Sequence, residues 1–183
     1  MNSAHSSPFL YTGYQQMYNL DFVAADATFH LYQQRHPDDP LGYVSDAAAD
    51  LFSEFDRLHV LELDLFADDR KFEQHGKLAP DPALKADFDR ELAKGDELVT
   101  KALSHNPDDR NALSRVLANG LRGDYAALIE KRKVVSLGYM KTSRGIAQKL
   151  LQVDPTCYDA NLAIGVENYL LGINGRGFAG CCA

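Results

Sequence analysis

The sequence predicts an all-α protein built as a stack of antiparallel helical hairpins. Apolar residues recur at helical spacing along most of the chain, and no segment sustains the alternation that is typical of a half-buried strand. Three similar stretches each place a proline where such a run ends: QQRHPDDP at 33–40, LSHNPDDR at 103–110 and LQVDPTCY at 151–158. Because proline interrupts a helix, each stretch predicts the end of one helical pair and the start of the next.

The first predicted pair lies before Pro37. Its first helix covers roughly residues 7–19, and Asp21 is a candidate N-cap for the second helix. In that second helix Ala25, Phe29 and Tyr32 follow one another at helical spacing and predict its buried face.

The second predicted pair is longer than the first. It begins at Pro40, where proline suits the first turn of a helix, and its apolar period continues for about 25 residues. The charged stretch 68–81 predicts a surface loop, and a second helix is predicted from about 82 to 105. We therefore expect the central helices of the stack to be elongated.

The third predicted pair begins after Pro107 and ends before Pro155. We place the boundary between its helices at Gly138, with Gly123 as the alternative. A last helix is predicted over 157–171, and the given sequence supplies no second helix to pack on it. We expect its far face to be covered by another chain, such as a second copy of this one, or by a region of the protein outside the given sequence. The side chains concerned are Leu162, Val166, Tyr169 and Leu170.

Composition favours one domain and argues against a nucleic-acid partner. The chain has 183 residues, a net charge of −7 and a pI of about 5.3, whereas proteins that neutralise phosphates usually carry the opposite sign. No apolar stretch reaches the ~18 residues that span a bilayer, so no membrane span is expected. The first residues lack a basic region followed by an apolar core, so we predict no signal peptide, and the sequence assigns no compartment.

The sequence shows no arrangement typical of catalysis, cofactor binding or a metal centre. The 6 histidines are scattered, and the 3 cysteines form no metal quartet. Gly175, Gly177 and Gly180 spell G-x-G-x-x-G, but they follow a predicted helix rather than a strand. We therefore predict no catalytic, cofactor-binding or metal-ligating residue. Carboxylates or histidines clustered inside one pocket would instead favour an enzyme.

The first pair resembles the tetratricopeptide repeat, whose pattern is W-x2-L-G-x2-Y, then A-x3-F, then a closing proline. Phe9, Gly13, Ala25, Phe29 and Pro37 occupy matching positions without a gap, and the match weakens in the middle of the chain. The resemblance implies a right-handed α-solenoid over residues 6–172, about three and a half helical pairs, followed by an irregular tail at 173–183.

A narrower resemblance lies in the C-terminal third. The stretches 123–155 and 158–172 are similar to a group of bacterial tetratricopeptide-like proteins that are often exported. No activity is known to belong to that group, so this resemblance implies no chemistry.

The tetratricopeptide resemblance implies a non-catalytic scaffold that binds a protein or peptide in the groove lined by the first helix of each pair. Two alternatives stay open: a helical domain that binds a small molecule or lipid in the same aromatic groove, and an enzyme whose site the sequence does not reveal. By resemblance, the candidate groove residues are Tyr14, Tyr18, Asn111, Arg122 and Tyr169.

Overall fold

The computed structural model describes residues 7–61, 78–106, 111–165 and 168, and every regular element within them is helical. The predicted all-α class is therefore confirmed. The helices are α1 (Pro8–Tyr18), α2 (Phe22–Arg35), α3 (Pro40–Arg57), α4 (Pro82–His105), α5 (Ala112–Asp124) and α6 (Lys133–Val153). A π-helical turn at Tyr125–Ile129 continues α5, and residues 159–165 are helical. None of the helices in these ranges has both the length and the apolar character needed to cross a bilayer.

Helices that follow one another in sequence also pack against one another. Contacts join α1 to α2, α2 to α3, α3 to α4, α4 to α5 and α5 to α6. Helix α3 additionally contacts α1 and α5, so the first helices of the three pairs are neighbours. The second pair has longer helices than the first, as predicted: α3 and α4 have 18 and 24 residues, against 11 and 14 for α1 and α2.

The apolar core runs along the stack as three clusters. The first centres on Leu10 and Phe29, the second on Leu51 and Leu92, and the third on Leu113 and other side chains of α5, α6 and 157–164. Leu117 of α5 packs against all three clusters, so they form one continuous core.

Aspartate caps fix where three helices begin. The Asp21 carboxylate accepts a hydrogen bond from the Ala24 amide (3.3 Å), which confirms the predicted N-cap of α2. Asp39 and Asp81 cap α3 and α4 in the same way, and a proline follows each of them in the first turn. This Asp-Pro pair supplies an acceptor for the free amides and removes one amide that would lack a partner.

The predicted boundary between α5 and α6 is wrong at both glycines. The chain breaks at residues 130–132, where Lys131 adopts a left-handed φ of 57° and the Arg132 amide donates to the Ala126 carbonyl (2.7 Å). Gly123 lies inside α5, where a Cβ would come within 2.5 Å of Met140 Cε. It therefore serves the close packing of α5 on α6, whereas Gly138 lies on the exposed side of α6.

Helix α3 ends earlier than its apolar period suggests. It stops at Arg57, where His59 takes a left-handed φ of 58° and the Val60 amide donates to the Phe55 carbonyl (2.7 Å). Together with the bond from the His59 amide to the Asp56 carbonyl (3.0 Å), this bond forms a Schellman-type cap, which here ends the helix without a glycine. Most of the predicted loop at 68–81, all of the predicted tail at 173–183 and the end of the last helix lie outside the described residues.

Candidate functional site

Three tyrosines lie on one side of α1. Tyr11, Tyr14 and Tyr18 are spaced by three and four residues, which brings them onto one face of a helix, called here the tyrosine face. Tyr11 and Tyr18 are 67% and 75% exposed, whereas Tyr14 is half-buried. Tyr14 and Tyr18 were predicted from the sequence, whereas Tyr11 was not, although its spacing was a sufficient signal.

Tyr14 is held in place by two contacts. Its hydroxyl shares a hydrogen bond with Ser45 Oγ of α3 (2.8 Å), and its ring meets that of Phe29 edge-on, with 5.3 Å between centroids. An aromatic ring fixed by both packing and a hydrogen bond loses little conformational entropy when a partner binds.

A carboxylate of the last helical stretch acts on the Tyr14 phenol. Burial raises the pKa of the Tyr14 phenol, the hydrogen bond with Ser45 partly offsets this, and negative charge at Tyr18 and Asp159 raises the pKa further. Asp159 begins the helical stretch 159–165. Its charge therefore lies close enough to act on a tyrosine at the opposite end of the sequence.

The structure describes two of the remaining predicted groove residues, Arg122 and Asn111. Arg122 donates from Nη2 to Asp96 Oδ2 of α4 (2.8 Å), so its charge is paired between α5 and α4. Asn111 is half-buried and immediately precedes α5, and Tyr169 lies outside the described residues. The structure thus brings Tyr14 and Tyr18 together, and Arg122 contacts a different helix.

A second, polar site lies between α2, α3 and α4. Asp26 and His30 of α2 and Asp46 of α3 each offer one nitrogen or oxygen atom, and the three atoms lie within 4.8 Å of one another. We call these three residues the carboxylate–histidine cluster. Gln33 of α2 and Glu91 of α4 complete its surroundings.

The ring of His30 has a defined orientation. Its Nδ1 lies 3.1 Å from the carbonyl oxygen of Asp26, and because a carbonyl can only accept, Nδ1 must carry the proton of this bond. The other ring nitrogen, Nε2, lies 3.5 Å from Asp46 Oδ2. Nε2 is therefore directed toward the carboxylate of the neighbouring helix.

Asp46 is the deepest member of the cluster, at 1% exposure. Its Oδ2 accepts a hydrogen bond from Gln33 Nε2 (2.9 Å), and the same amide group donates to Glu91 Oε2 (3.1 Å). Its Oδ1 is also buried and has no hydrogen-bond partner within the described part of the chain. Most buried polar atoms in proteins are paired, so this oxygen requires an explanation.

Negative charge accumulates around Asp46. Burial raises the pKa of its carboxyl to about 7; His30 opposes this rise, and the charges of Asp26, Glu91 and Asp50 add to it. Burial and the neighbouring carboxylates likewise raise the pKa of Asp50, one helical turn away, to about 7. Burial lowers the pKa of His30, but the charges of Asp46 and Asp26 outweigh burial and raise it. The cluster thus favours a bound positive charge.

No residue of this cluster was predicted from the sequence as part of a site. Asp26 and His30 stand four residues apart and so share one helix face, which was a readable signal, but Asp46 lies on a different helix. A further signal was the position of Asp46 next to Ala47 and Ala48, inside the apolar run of α3.

Comparisons with protein-family models, with curated proteins and with solved structures found no significant match to this chain.

Proposed function

We propose that this protein is a non-catalytic scaffold of tetratricopeptide type that binds a peptide segment of another protein along its first helices. The packing of α1 on α2 supports the family part of this proposal. Gly13 and Phe29, which match family positions, meet so closely that a Cβ on Gly13 would lie 2.4 Å from the ring. Small residues at the crossing of two helices are what this repeat pattern requires.

We further propose that the pairs stack into a right-handed superhelix. The contacts of α3 with both α1 and α5 support this arrangement, because the first helices of successive repeats line the inner side of such a stack. The last helical stretch, 159–165, would then be the first helix of a fourth pair and border the same side.

The tyrosine face is the observation that carries the binding proposal. Tyr14 supplies a fixed ring, while Tyr11 and Tyr18 offer large, mostly exposed rings on either side of it. Tyrosine is enriched among residues that dominate binding energies, because it buries a large area at little entropic cost. Asp159 adds negative charge near this face, and the chain carries a net charge of −7. We therefore expect a peptide that combines an apolar anchor with basic residues.

A displayed library of random peptides, selected on the full-length protein, tests the proposal without knowledge of the natural partner. Selected peptides are then synthesised and their Kd values measured by isothermal titration calorimetry. The variants are Tyr18→Ala and, as a control, Val134→Ala. Val134 is 84% exposed and lies on α6, away from the proposed face, so its loss should leave binding unchanged.

We expect Tyr18→Ala to weaken binding by about tenfold or more, which corresponds to roughly 1.4 kcal/mol, and Val134→Ala to change Kd by less than about twofold. Circular dichroism establishes that both variants are folded. If no peptide is enriched, or if the two variants weaken binding equally, the tyrosine face is not the binding site. The small-molecule or lipid-binding alternative stays a prediction.

A further inference from the structure

We propose that Asp26, His30 and Asp46 bind a divalent transition-metal ion between α2 and α3. This inference is independent of the peptide-binding proposal, because it concerns other side chains. The cluster supplies one imidazole nitrogen and two carboxylates from two helices that are adjacent in the fold. Three protein ligands of these types are a common donor set for ions that keep further positions for water.

The orientation of His30 fits the role of a ligand. Metal-bound histidines almost always donate their second ring N–H to a carboxylate or a backbone carbonyl, which fixes the tautomer. Here Nδ1 donates to the Asp26 carbonyl oxygen, and Nε2 points toward Asp46 Oδ2. Without an ion or a bridging proton, the lone pair of Nε2 would face a carboxylate, which is unfavourable.

Asp46 provides independent support. Its side chain is 2% exposed, and its Oδ1 has no hydrogen-bond partner among the described residues. A metal ion would give the buried carboxylate the positive partner that such groups need. Gln33 donates to Oδ2, the oxygen that lies 3.5 Å from His30 Nε2, and also to Glu91, so the ligating carboxylate is held in place. This is the arrangement by which outer residues orient a ligating carboxylate.

The spacing suits an ion after a small adjustment. Two ligands at about 2.0–2.1 Å from one ion lie roughly 3–3.5 Å apart, and His30 Nε2 and Asp46 Oδ2 are separated by 3.5 Å. The Oδ1 atom of Asp26 lies 3.3 Å from His30 Nδ1, the protonated nitrogen, so the Asp26 carboxylate has to rotate toward Nε2 to reach the same ion. The Asp26 side chain is 49% exposed and can rotate, while His30 at 46% exposure leaves a path from solvent.

The donor set favours a borderline ion such as Zn²⁺ or Co²⁺. Mg²⁺ and Ca²⁺ prefer oxygen ligands alone, and soft ions prefer thiolates, which the cluster does not supply. A bound ion would join the second helix of the first pair to the first helix of the second pair. We therefore expect it to raise the thermal stability of the protein by mass action.

The test is a titration of metal-depleted full-length protein with Zn²⁺ in a calorimeter, with the wild type compared with His30→Ala and Asp46→Asn. His105→Ala is the matched control. His105 is also a helical histidine whose Nδ1 meets a carbonyl four residues earlier (Lys101, 2.8 Å), but a lysine stands where Asp26 stands before His30. Asp46→Asn keeps the size of the side chain, and circular dichroism checks that each variant is folded.

We expect the wild type and His105→Ala to bind one Zn²⁺ ion at this site with the same Kd, and both cluster variants to lose at least tenfold in affinity. Zn²⁺ should raise the Tm of the wild type and leave that of Asp46→Asn unchanged. Co²⁺ absorption spectra provide a further check, because a thiolate-to-metal band would assign the ion to cysteine. Undiminished binding in Asp46→Asn, an equal loss in His105→Ala, a thiolate band, or no binding to the wild type would each overturn the proposal. In the last case His30 would bridge the two carboxylates as an imidazolium.

Discussion

Gly13 of α1 lies against the ring of Phe29, and a methyl group at this position would collide with it. A Cβ built on Gly13 would come within 2.4, 2.7 and 2.8 Å of three ring carbons. Since carbon atoms in contact normally lie about 3.5–4 Å apart, the ring or the helix would have to move by about 1 Å. Phe29 is fully buried and packs edge-on against Tyr14, so it has little room to move.

Two opposing effects set the magnitude expected for Gly13→Ala. Forcing extra volume into a packed core costs about 1–3 kcal/mol. In a helix interior, alanine raises the free energy of unfolding by about 0.5–1 kcal/mol relative to glycine, because alanine loses less conformational entropy on folding. The collision outweighs this gain, and we expect a net loss of about 1–2 kcal/mol in the free energy of unfolding. For a chain of this size that lowers Tm by about 2–8 °C.

Gly138→Ala measures the effect of helix propensity on stability without the collision. Gly138 lies in α6, and apart from its chain neighbours and the adjacent backbone of that helix, no described atom comes within 4 Å of the place its Cβ would take. We therefore expect this control to gain about 0.5–1 kcal/mol. Urea denaturation of both variants measures the difference. A double-mutant cycle with Phe29→Leu should show that Gly13→Ala costs less once the ring is gone. If Gly13→Ala is as stable as Gly138→Ala, the close approach of α1 and α2 does not exist as described.

Three further substitutions test individual interactions by urea denaturation. Burial raises the pKa of Asp124 to about 6, so the folded state holds this proton more tightly, and stability falls as the pH rises from about 4 to 6. The free energy of unfolding of Asp124→Asn should therefore exceed that of the wild type by about 1–3 kcal/mol at pH 7 and equal it below pH 4. An equal difference at both pH values would contradict this. Tyr125→Phe should raise stability by up to about 1 kcal/mol, because the buried hydroxyl has no partner in the described ranges, and a loss would reveal one. Glu54→Ala should lower the free energy of unfolding by about 2–4 kcal/mol. The Glu54 carboxylate is 2% exposed and accepts hydrogen bonds from Arg57 (2.7 Å) and from the Asp81 amide at the start of α4 (2.7 Å). A loss below about 1 kcal/mol would show that water replaces the carboxylate.

The start of each of α2, α3 and α4 could be predicted because its signal is local. Asp21 supplies the capping group of α2. The Asp-Pro pairs at 39–40 and 81–82 add a proline, which has no amide hydrogen to leave unpaired. The end of α5 could not be predicted in this way. It depends on a π-helical turn and on a left-handed Lys131, a residue type that rarely adopts this conformation, so glycine was the wrong signal to follow.

The carboxylate–histidine cluster escaped prediction for a different reason. Half of it is local, because Asp26 and His30 are one turn apart, but its buried member is 16 residues further along, after a helix end and a turn. Register between α2 and α3 decides whether Asp46 meets His30, and that register depends on how the two helices pack. The tyrosine face, in contrast, needs only the helical period of α1 and was partly predicted.

Helix α2 presents two stripes side by side. Ala25, Phe29 and Tyr32 are buried and apolar. The stripe one residue further on consists of Asp26, His30 and Gln33, and Gln33 meets the buried Asp46 of α3. A helix packed between two others would be more stable with apolar residues on both sides. Asp26 and His30 are half-exposed, whereas Asp46 is buried, and buried ionisable groups usually reduce stability. We therefore expect Asp46 to serve a function rather than the fold.

Asp46→Leu separates these two roles. Replacing a buried charge by an apolar side chain of similar volume is often neutral or stabilising by about 1–4 kcal/mol. Gln33 would keep its hydrogen bond to Glu91 (3.1 Å), so the substitution leaves one partner for the amide. In metal-free protein at pH 7 we expect Asp46→Leu to be at least as stable as the wild type in urea, and to show no increase in Tm with Zn²⁺. If the variant instead loses more than about 2 kcal/mol without metal, the hydrogen bonds of Asp46 hold α2 and α3 together, and the polar stripe is structural.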